Sequence, residues 1–300
     1  MDFSQTTYKT LLATLNSRNY SFKTFENHLQ STIINQQSFI LLRHDVDRLP
    51  ENSLKLAQLE HSLGIKGSYY FRIVPESFAL EIMHQIAALG HEIGYHYEDV
   101  DLVVQRQKIK SLPASGVGES KKEKGKDGKV EKWKNENEKI PRFQDSNIPS
   151  VELIDAAYES FCKNLEQFRK HFDIKTICMH GSPRSKYDNK LIWQKYDYKE
   201  LGIIGEPYYD IDFNEFAYFT DTGRRWNGHK VSVRDKVNSK YNFDFKTTQQ
   251  IIENIDKLPD KVMFTIHPER WHSNPALWAK ELIVQNLKNI VKRGLIVLRE

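Results

Sequence analysis

The sequence predicts an α/β fold, a (β/α) barrel, on three observations. Apolar strand-like runs alternate with helical stretches along most of the chain. The connections from Phe39 to Tyr97 are short, which implies parallel strands joined by right-handed crossovers. Five of the runs also stop at a carboxylate or an imidazole. Ser38 to Arg43 leads into His44-Asp45-Val46-Asp47, and His91 to Tyr95 leads into His96-Tyr97-Glu98. The runs before His180, Asp221 and His267 behave alike. Barrel enzymes collect their chemistry at the C-terminal ends of parallel strands.

The elements follow in order. Thr6 to Leu29 reads as one or two helices on the apolar positions Leu11, Leu12, Leu15, Phe22, Phe25 and Leu29. A strand over Phe39 to Arg43 precedes a helix opened by Pro50 and closed by Gly64. Gly67 to Val74 is a strand, Glu76 to Leu89 a helix and His91 to Tyr97 a strand. Residues 107–150 form a lysine-rich insertion with few apolar side chains, too polar to offset its own ordering entropy. It is expected to be flexible, and a long loop after such a strand also suits a lid. Helical period returns from Val151 to Phe172. Strands ending at His180, near Ile203-Ile204, at Thr220 and at Ile266 follow, with helices over Thr247 to Leu258 and Pro275 to Lys292. The whole is read as one domain, 1–300, with N-terminal helices over 1–37.

Composition narrows the function classes. The 300 residues suit a single large α/β domain, and the formal net charge is only +4. Much of the lysine sits between Lys121 and Lys139, so the charge is a solvated run and no nucleic-acid footprint. The two cysteines, Cys162 and Cys178, imply no disulfide framework. Cys178 lies inside a strand and reads as core. No basic-then-apolar leader opens the chain and no apolar run reaches membrane length, so a soluble cytoplasmic protein is expected.

The strand ends carry the chemistry. Asp45 and Asp47 are two apart, so both face one cavity. One can hold a cation while the other takes a proton. His96 is the strongest single metal candidate, and Glu92 and Glu98 share its parity; His91 lies on the opposite face and reads as structural. His180 precedes a turn at Gly181-Ser182-Pro183, and Pro268 ends the strand before His267. A cluster of Asp and His suits a divalent ion. Asp45-Val46-Asp47 alone also occurs in nucleotide-sugar glycosyltransferases, where the paired aspartates hold a cation.

Arg43-His-Asp-Val-Asp47 resembles the first motif of the polysaccharide deacetylases, carbohydrate esterase family 4, the NodB-homology domain. His91-Glu-Ile-Gly-Tyr-His96 resembles the approach to their second motif, and Val262 to His267 is similar to their last. The resemblance covers about two-thirds of the chain. It implies a distorted (β/α) barrel of about seven parallel strands and a divalent metal, often zinc, held by an Asp and two His. It also implies hydrolysis of an acetamide. Position by position, Asp45 matches the catalytic base, Asp47 the metal-binding Asp, His96 the first metal His and His267 the general acid. The family repeats its His four residues on, and here that position is Val100. His180 is therefore expected as third ligand, with Glu98 the runner-up and Asp99 behind it. Asp221 is expected to orient a ligand or His267, and Arg225 to bind an acidic substrate. Trp226 is counted with them as a supporting or substrate-binding residue.

The expected function is metal-dependent hydrolysis of a non-peptide carbon–nitrogen bond, N-deacetylation of a carbohydrate or sugar intermediate, with a divalent metal, zinc by preference. Two alternatives stand beside it. One is a non-catalytic carbohydrate-binding barrel with a degenerate metal site, on the strength of Val100. The other is a glycosyltransferase built on Asp45 and Asp47, which leaves the three strand-end histidines without work.

Overall fold

A computed structural model describes residues 1–31, 37–111, 149–182, 185–227 and 237–297. Most of the lysine-rich insertion, residues 112–148, lies outside them, and so does Pro183. Seven strands form one parallel sheet: β1 (Ser21–Lys23), β2 (Phe39–Val46), β3 (Ser68–Phe71), β4 (Glu92–Tyr97), β5 (Ile177–Met179), β6 (Ala217–Thr220) and β7 (Lys261–Ile266). Their spatial order is β5-β4-β3-β2-β7-β6, and β1 pairs with the first half of β2. The sheet is open and curled into a distorted half-barrel. β2 lies at its centre, and all eight of its residues are buried.

Nine α-helices are described: α1 (Gln5–Ser17), α2 (Phe25–Gln30), α3 (Pro50–Ser62), α4 (Leu80–Ala88), α5 (Asp99–Ser111), α6 (Val151–Arg169), α7 (Pro207–Asp210), α8 (Thr248–Glu253) and α9 (Pro275–Val297). Local chemistry starts several of them. Ser4, Ser150 and Thr247 accept backbone N–H groups as N-caps of α1, α6 and α8, and Pro50 opens α3. The apolar stripe Leu153, Ile154, Ala157, Phe161, Leu165 and Phe168 buries α6.

Helices cover the convex face of the sheet through two apolar cores. One gathers Tyr95, Tyr97, Val100, Phe161 and Phe168, and the other Tyr8, Leu12, Trp226, Phe264 and Trp271. A third core fills the concave side, with Phe25 of α2 among Phe39, Leu41, Phe213, Phe216 and Met263. α2 seals the base of the half-barrel because its first N–H groups find buried acceptors. Phe25 N donates to Ser68 Oγ at 2.8 Å, and Glu26 N donates to Glu92 Oε2 at 3.0 Å. Glu92 is thereby employed at the strand start, although it shares parity with His96.

Above that plug the concave side turns polar. His96 pairs with Cys178 across β4 and β5. Asp47 and Arg72 lie one step past the paired Val46 and Phe71. Register therefore sets Asp47, Arg72, His96 and Cys178 in one layer at the strand ends.

Gly94 makes the layer below possible. A Cβ there would stand 2.4 Å from the Tyr70 ring and 3.1 Å from the Thr176 carbonyl. The ring cannot swing away, because Tyr70 Oη and Thr176 Oγ1 hydrogen-bond at 3.0 Å. Gly94→Ala is expected to cost about 1–3 kcal/mol by overpacking, read as a lower chemical-denaturation midpoint with an unchanged slope.

Several boundaries differ from the sequence expectation. β1 interrupts the N-terminal helices, and α5 extends from Asp99 to Ser111 where no helix was expected. β3 stops at Phe71 because Arg72 N turns to Ser77 Oγ at 3.0 Å. Ile203-Ile204 forms no named strand; the segment joins β5 through a single bridge between Thr176 and Gly205. Among the described residues, no helix is long and apolar enough to cross a membrane.

Candidate metal centre

Asp47 sits at the middle of the cluster. Its Oδ1 lies 3.6 Å from His96 Nε2 and 3.5 Å from His180 Nε2. Donors around a tetrahedral zinc, with bonds of about 2.0–2.1 Å, stand about 3.4 Å apart. That same oxygen is buried and accepts no hydrogen bond. A buried carboxylate oxygen without a donor costs free energy unless a cation meets it. Burial opposes the charge of Asp47, yet His180 above all, with His96 and His267, holds its carboxyl well below the usual range.

Each imidazole has an acceptor behind it; His96 hydrogen-bonds to its own, whereas His180 Nδ1 lies close to Glu98 without a hydrogen bond. His96 Nδ1 lies 3.0 Å from the Cys178 carbonyl, which fixes the proton there and turns the Nε2 lone pair to Asp47. His180 Nδ1 lies 3.0 Å from Glu98 Oε2. Glu98 is in turn forked by Arg72, whose Nε and Nη2 donate to its two oxygens at 2.8 Å each. Carbonyl or carboxylate behind a histidine is the usual support of a metal ligand. Carboxylate and imidazole are donor types that a divalent ion takes.

Ligand atoms also fall into two tighter groups, each with every atom within 4.8 Å of the others. One is Asp45, His96 and Cys178; the other is Glu98, Asp101 and His180. Both are poised to hold a metal, and they share the two histidines between them. The carboxylates of these groups already have donors. Arg43 forks Asp45 at 2.7 and 2.6 Å, Arg72 forks Glu98, and Asn189 donates to Asp101 at 3.1 Å. Asp47 Oδ1 has no such donor; Glu269 Oε2 is the other buried carboxylate oxygen without one among the described residues.

Asp45 and His267, the expected base and acid, lie beside the cluster. Asp45 is 4% exposed. Burial pushes its pKa up, but Arg43 outweighs burial and holds the carboxyl at about 2. Asp45 is therefore always ionised at neutral pH. His267 Nδ1 lies 2.6 Å from Asp221 Oδ1, which leaves Nε2 without a protein partner among the described residues. Asp221 is fully buried and also accepts from Arg270 Nη1 and Trp271 Nε1, at 2.7 Å each. Burial and Arg270 lower the His267 pKa, and Asp221 reverses them, so the imidazole sits above its ordinary value.

Of the residues singled out in the sequence, the structure gathers Asp45, Asp47, His96, His180 and Glu98, with His267 backed by Asp221. Glu98 stands behind His180, on the side of the ring away from Asp47. Asp99 points elsewhere and accepts from Tyr95, Ser160 and Asn164 beneath α6. Val100 is wholly buried in the outer core. Trp226 and Arg225 are not brought to the cluster. Trp226 is 2% exposed among Phe3, Phe264 and Trp271, and its Nε1 donates to Thr248 Oγ1. Arg225 Nε turns to Asn227 Oδ1. Left-handed backbone at Gly223 and Arg224 carries the chain away after Asp221.

Sequence reasoning assigned no role to Arg43, Arg72 or Glu269. Arg43 shares parity with Asp45, and that signal was in the sequence. Glu269 is buried beside Arg270, and burial raises its carboxyl to about 7. Nothing in its local sequence announces it.

The fold and site thus define a curled parallel α/β half-barrel with candidate metal-chelating clusters at its strand ends, compatible with the broader NodB-like barrels. No family model matches the chain, and neither the curated proteins nor the solved structures supply a match.

Proposed function

We propose that the protein is a metal-dependent hydrolase of a non-peptide carbon–nitrogen bond, an N-deacetylase acting on a carbohydrate or sugar intermediate. The observation that carries this reading is the donorless Asp47 Oδ1 between the imidazoles of His96 and His180, flanked by Asp45 and His267. A divalent ion, zinc by preference, would supply Lewis acidity to a carbonyl and acidify a water when held by Asp47, His96 and His180. Asp45, kept ionised by Arg43, is placed to take a proton from the attacking water. His267, whose protonated form Asp221 favours, would give one from Nε2 to the departing amine. A cytoplasmic sugar intermediate of surface polysaccharide synthesis is the proposed substrate.

The test compares two acetylated model substrates, one amide and one aryl ester, on zinc-loaded protein. An amine must be protonated as it leaves, whereas a phenolate needs no help. His267→Ala is expected to slow the amide about a hundredfold or more and the ester far less. Equal losses on both would remove His267 from the role of acid.

One observation favours a second reading, a non-catalytic carbohydrate-binding barrel with a degenerate metal site. His96 and His180 fall into separate tight groups, and Val100 has been absorbed into the core. Sugar binding without acetate release from metal-loaded protein would decide for it. The glycosyltransferase reading finds no use for the imidazoles around Asp47.

A further inference from the structure

A cavity of about 580 Å³ lies apart from the strand-end cluster, between the chain start, residues 223–225, residues 246–247 and α9. None of Asp45, Asp47, His96, His180 or His267 lines it. Three cations do: Arg224, Arg225 and Lys246. Among the described residues, none of the three makes a direct ion pair with a carboxylate, although Glu281, Asp221 and Asp2 act on Arg224 at longer range. Arg224 is only 8% exposed. Its Nε has no acceptor, and its terminal nitrogens reach only the Arg270 and Asp2 carbonyls, at 3.4 and 3.5 Å. Those contacts are at the outer limit of a hydrogen bond. A buried guanidinium with unused donors asks for an anion.

The acids nearby are already engaged. Asp2 lines the cavity, but its oxygens accept from Phe3 N and from the Thr248 N–H and hydroxyl. Glu281 is forked by Arg48 at 3.2 Å. Arg224 is also held under strain, at a φ of 55° that a side chain rarely adopts, with Phe3 and Trp278 packed on its guanidinium at 5.7 and 5.1 Å. Strain of this kind persists where the surroundings over-determine it, ligand clamps included. Trp278 and Leu282 add an apolar wall, and the volume is that of a small-molecule site.

We propose that this cavity binds the phosphate group of a phosphorylated small molecule. Three cations outnumber the one lining carboxylate, Asp2, whose oxygens are taken up by N–H and hydroxyl donors, and the surplus matches a dianion better than a single carboxylate ligand. The Arg224 fork suits phosphate oxygens. The apolar wall leaves room for a sugar-sized body beside the charged end.

Isothermal titration of the full chain with glucose 1-phosphate and, separately, inorganic phosphate tests this at matched ionic strength. Arg225 and Lys246 are at least partly exposed, so the double variant R225Q/K246Q keeps the fold, checked by its melting temperature. The expected result is binding of both probes, tighter for the sugar phosphate, and a loss of about tenfold or more in the double variant. Equal affinity for the two probes would overturn the ester and leave free phosphate. Binding of neither probe, or unchanged binding in the double variant, would overturn the site; the second result would place the anion at the strand ends.

Discussion

Asp45→Asn is expected to lower turnover on an N-acetylated sugar by about 10²- to 10⁴-fold, while the protein keeps its bound metal. Asp45 is assigned the proton, and Asp47 the ion. The amide keeps nearly the shape of the carboxylate but cannot take a proton at neutral pH. Arg43 would lose its fork on Asp45, at 2.7 and 2.6 Å, and retain Tyr208 Oη at 3.2 Å. Breaking a buried pair costs about 3–5 kcal/mol, so turnover must be read on protein whose circular dichroism is native. Metal analysis after dialysis completes the test. Metal loss equal to that of Asp47→Asn would merge the two roles.

Asp221→Asn is expected to be the most destabilising change at the site, by about 3–5 kcal/mol, and to remove activity as well. The carboxylate is 0% exposed and serves His267, Arg270 and Trp271 at once. Without its charge, the buried Arg270 keeps one carboxylate in ion-pair range, Glu269 at 3.7 Å. The pH dependence follows from the two shifts. Asp221 has its pKa depressed in the fold, so its stabilisation is present above about pH 4 and is lost as pH falls through the depressed value. His267 has its pKa raised, so its stabilisation is full below about pH 6.5 and is lost as pH rises through the raised value. Thermal melts from pH 3 to pH 9 should therefore show a plateau between those limits in the parent and a flatter profile in the variant. Identical profiles would contradict the pairing.

Much of this site was legible because strand parity is a simple rule. Asp45 and Asp47, His96 and Glu98 each sit two apart beyond a buried run, and the structure sets them on the concave side. The same parity placed Glu92 with His96, but parity gives the face and not the height. Glu92 lies at the strand start, where α2 uses it as an acceptor. Arg43 was within reach of the same rule. Arg72 was not, because β3 ends at Phe71 and a turn to Ser77 aims its side chain.

The misread parts depended on contacts between distant segments. β1 is three residues long, and only its pairing with Phe39 to Leu41 makes it a strand. α5 shows a weak apolar stripe of Val100 and Val103, and its packing against α6 and the 3₁₀ turn at Asn189–Gln194 supports it. Trp226 was counted with Asp221 and Arg225 as a supporting or substrate-binding residue. The left-handed turn at Gly223 and Arg224 sends it to the outer core instead.

The central claim is that Asp47, His96 and His180 hold one divalent ion, with Glu98 and the Cys178 carbonyl behind the imidazoles. Anomalous diffraction at the zinc edge, from crystals grown with zinc, tests it most directly. A single peak is expected about 2.0–2.2 Å from Asp47 Oδ1, His96 Nε2 and His180 Nε2. A peak bound by Asp45 and Cys178, a peak bound by Glu98 and Asp101, or no peak at the strand ends would contradict it.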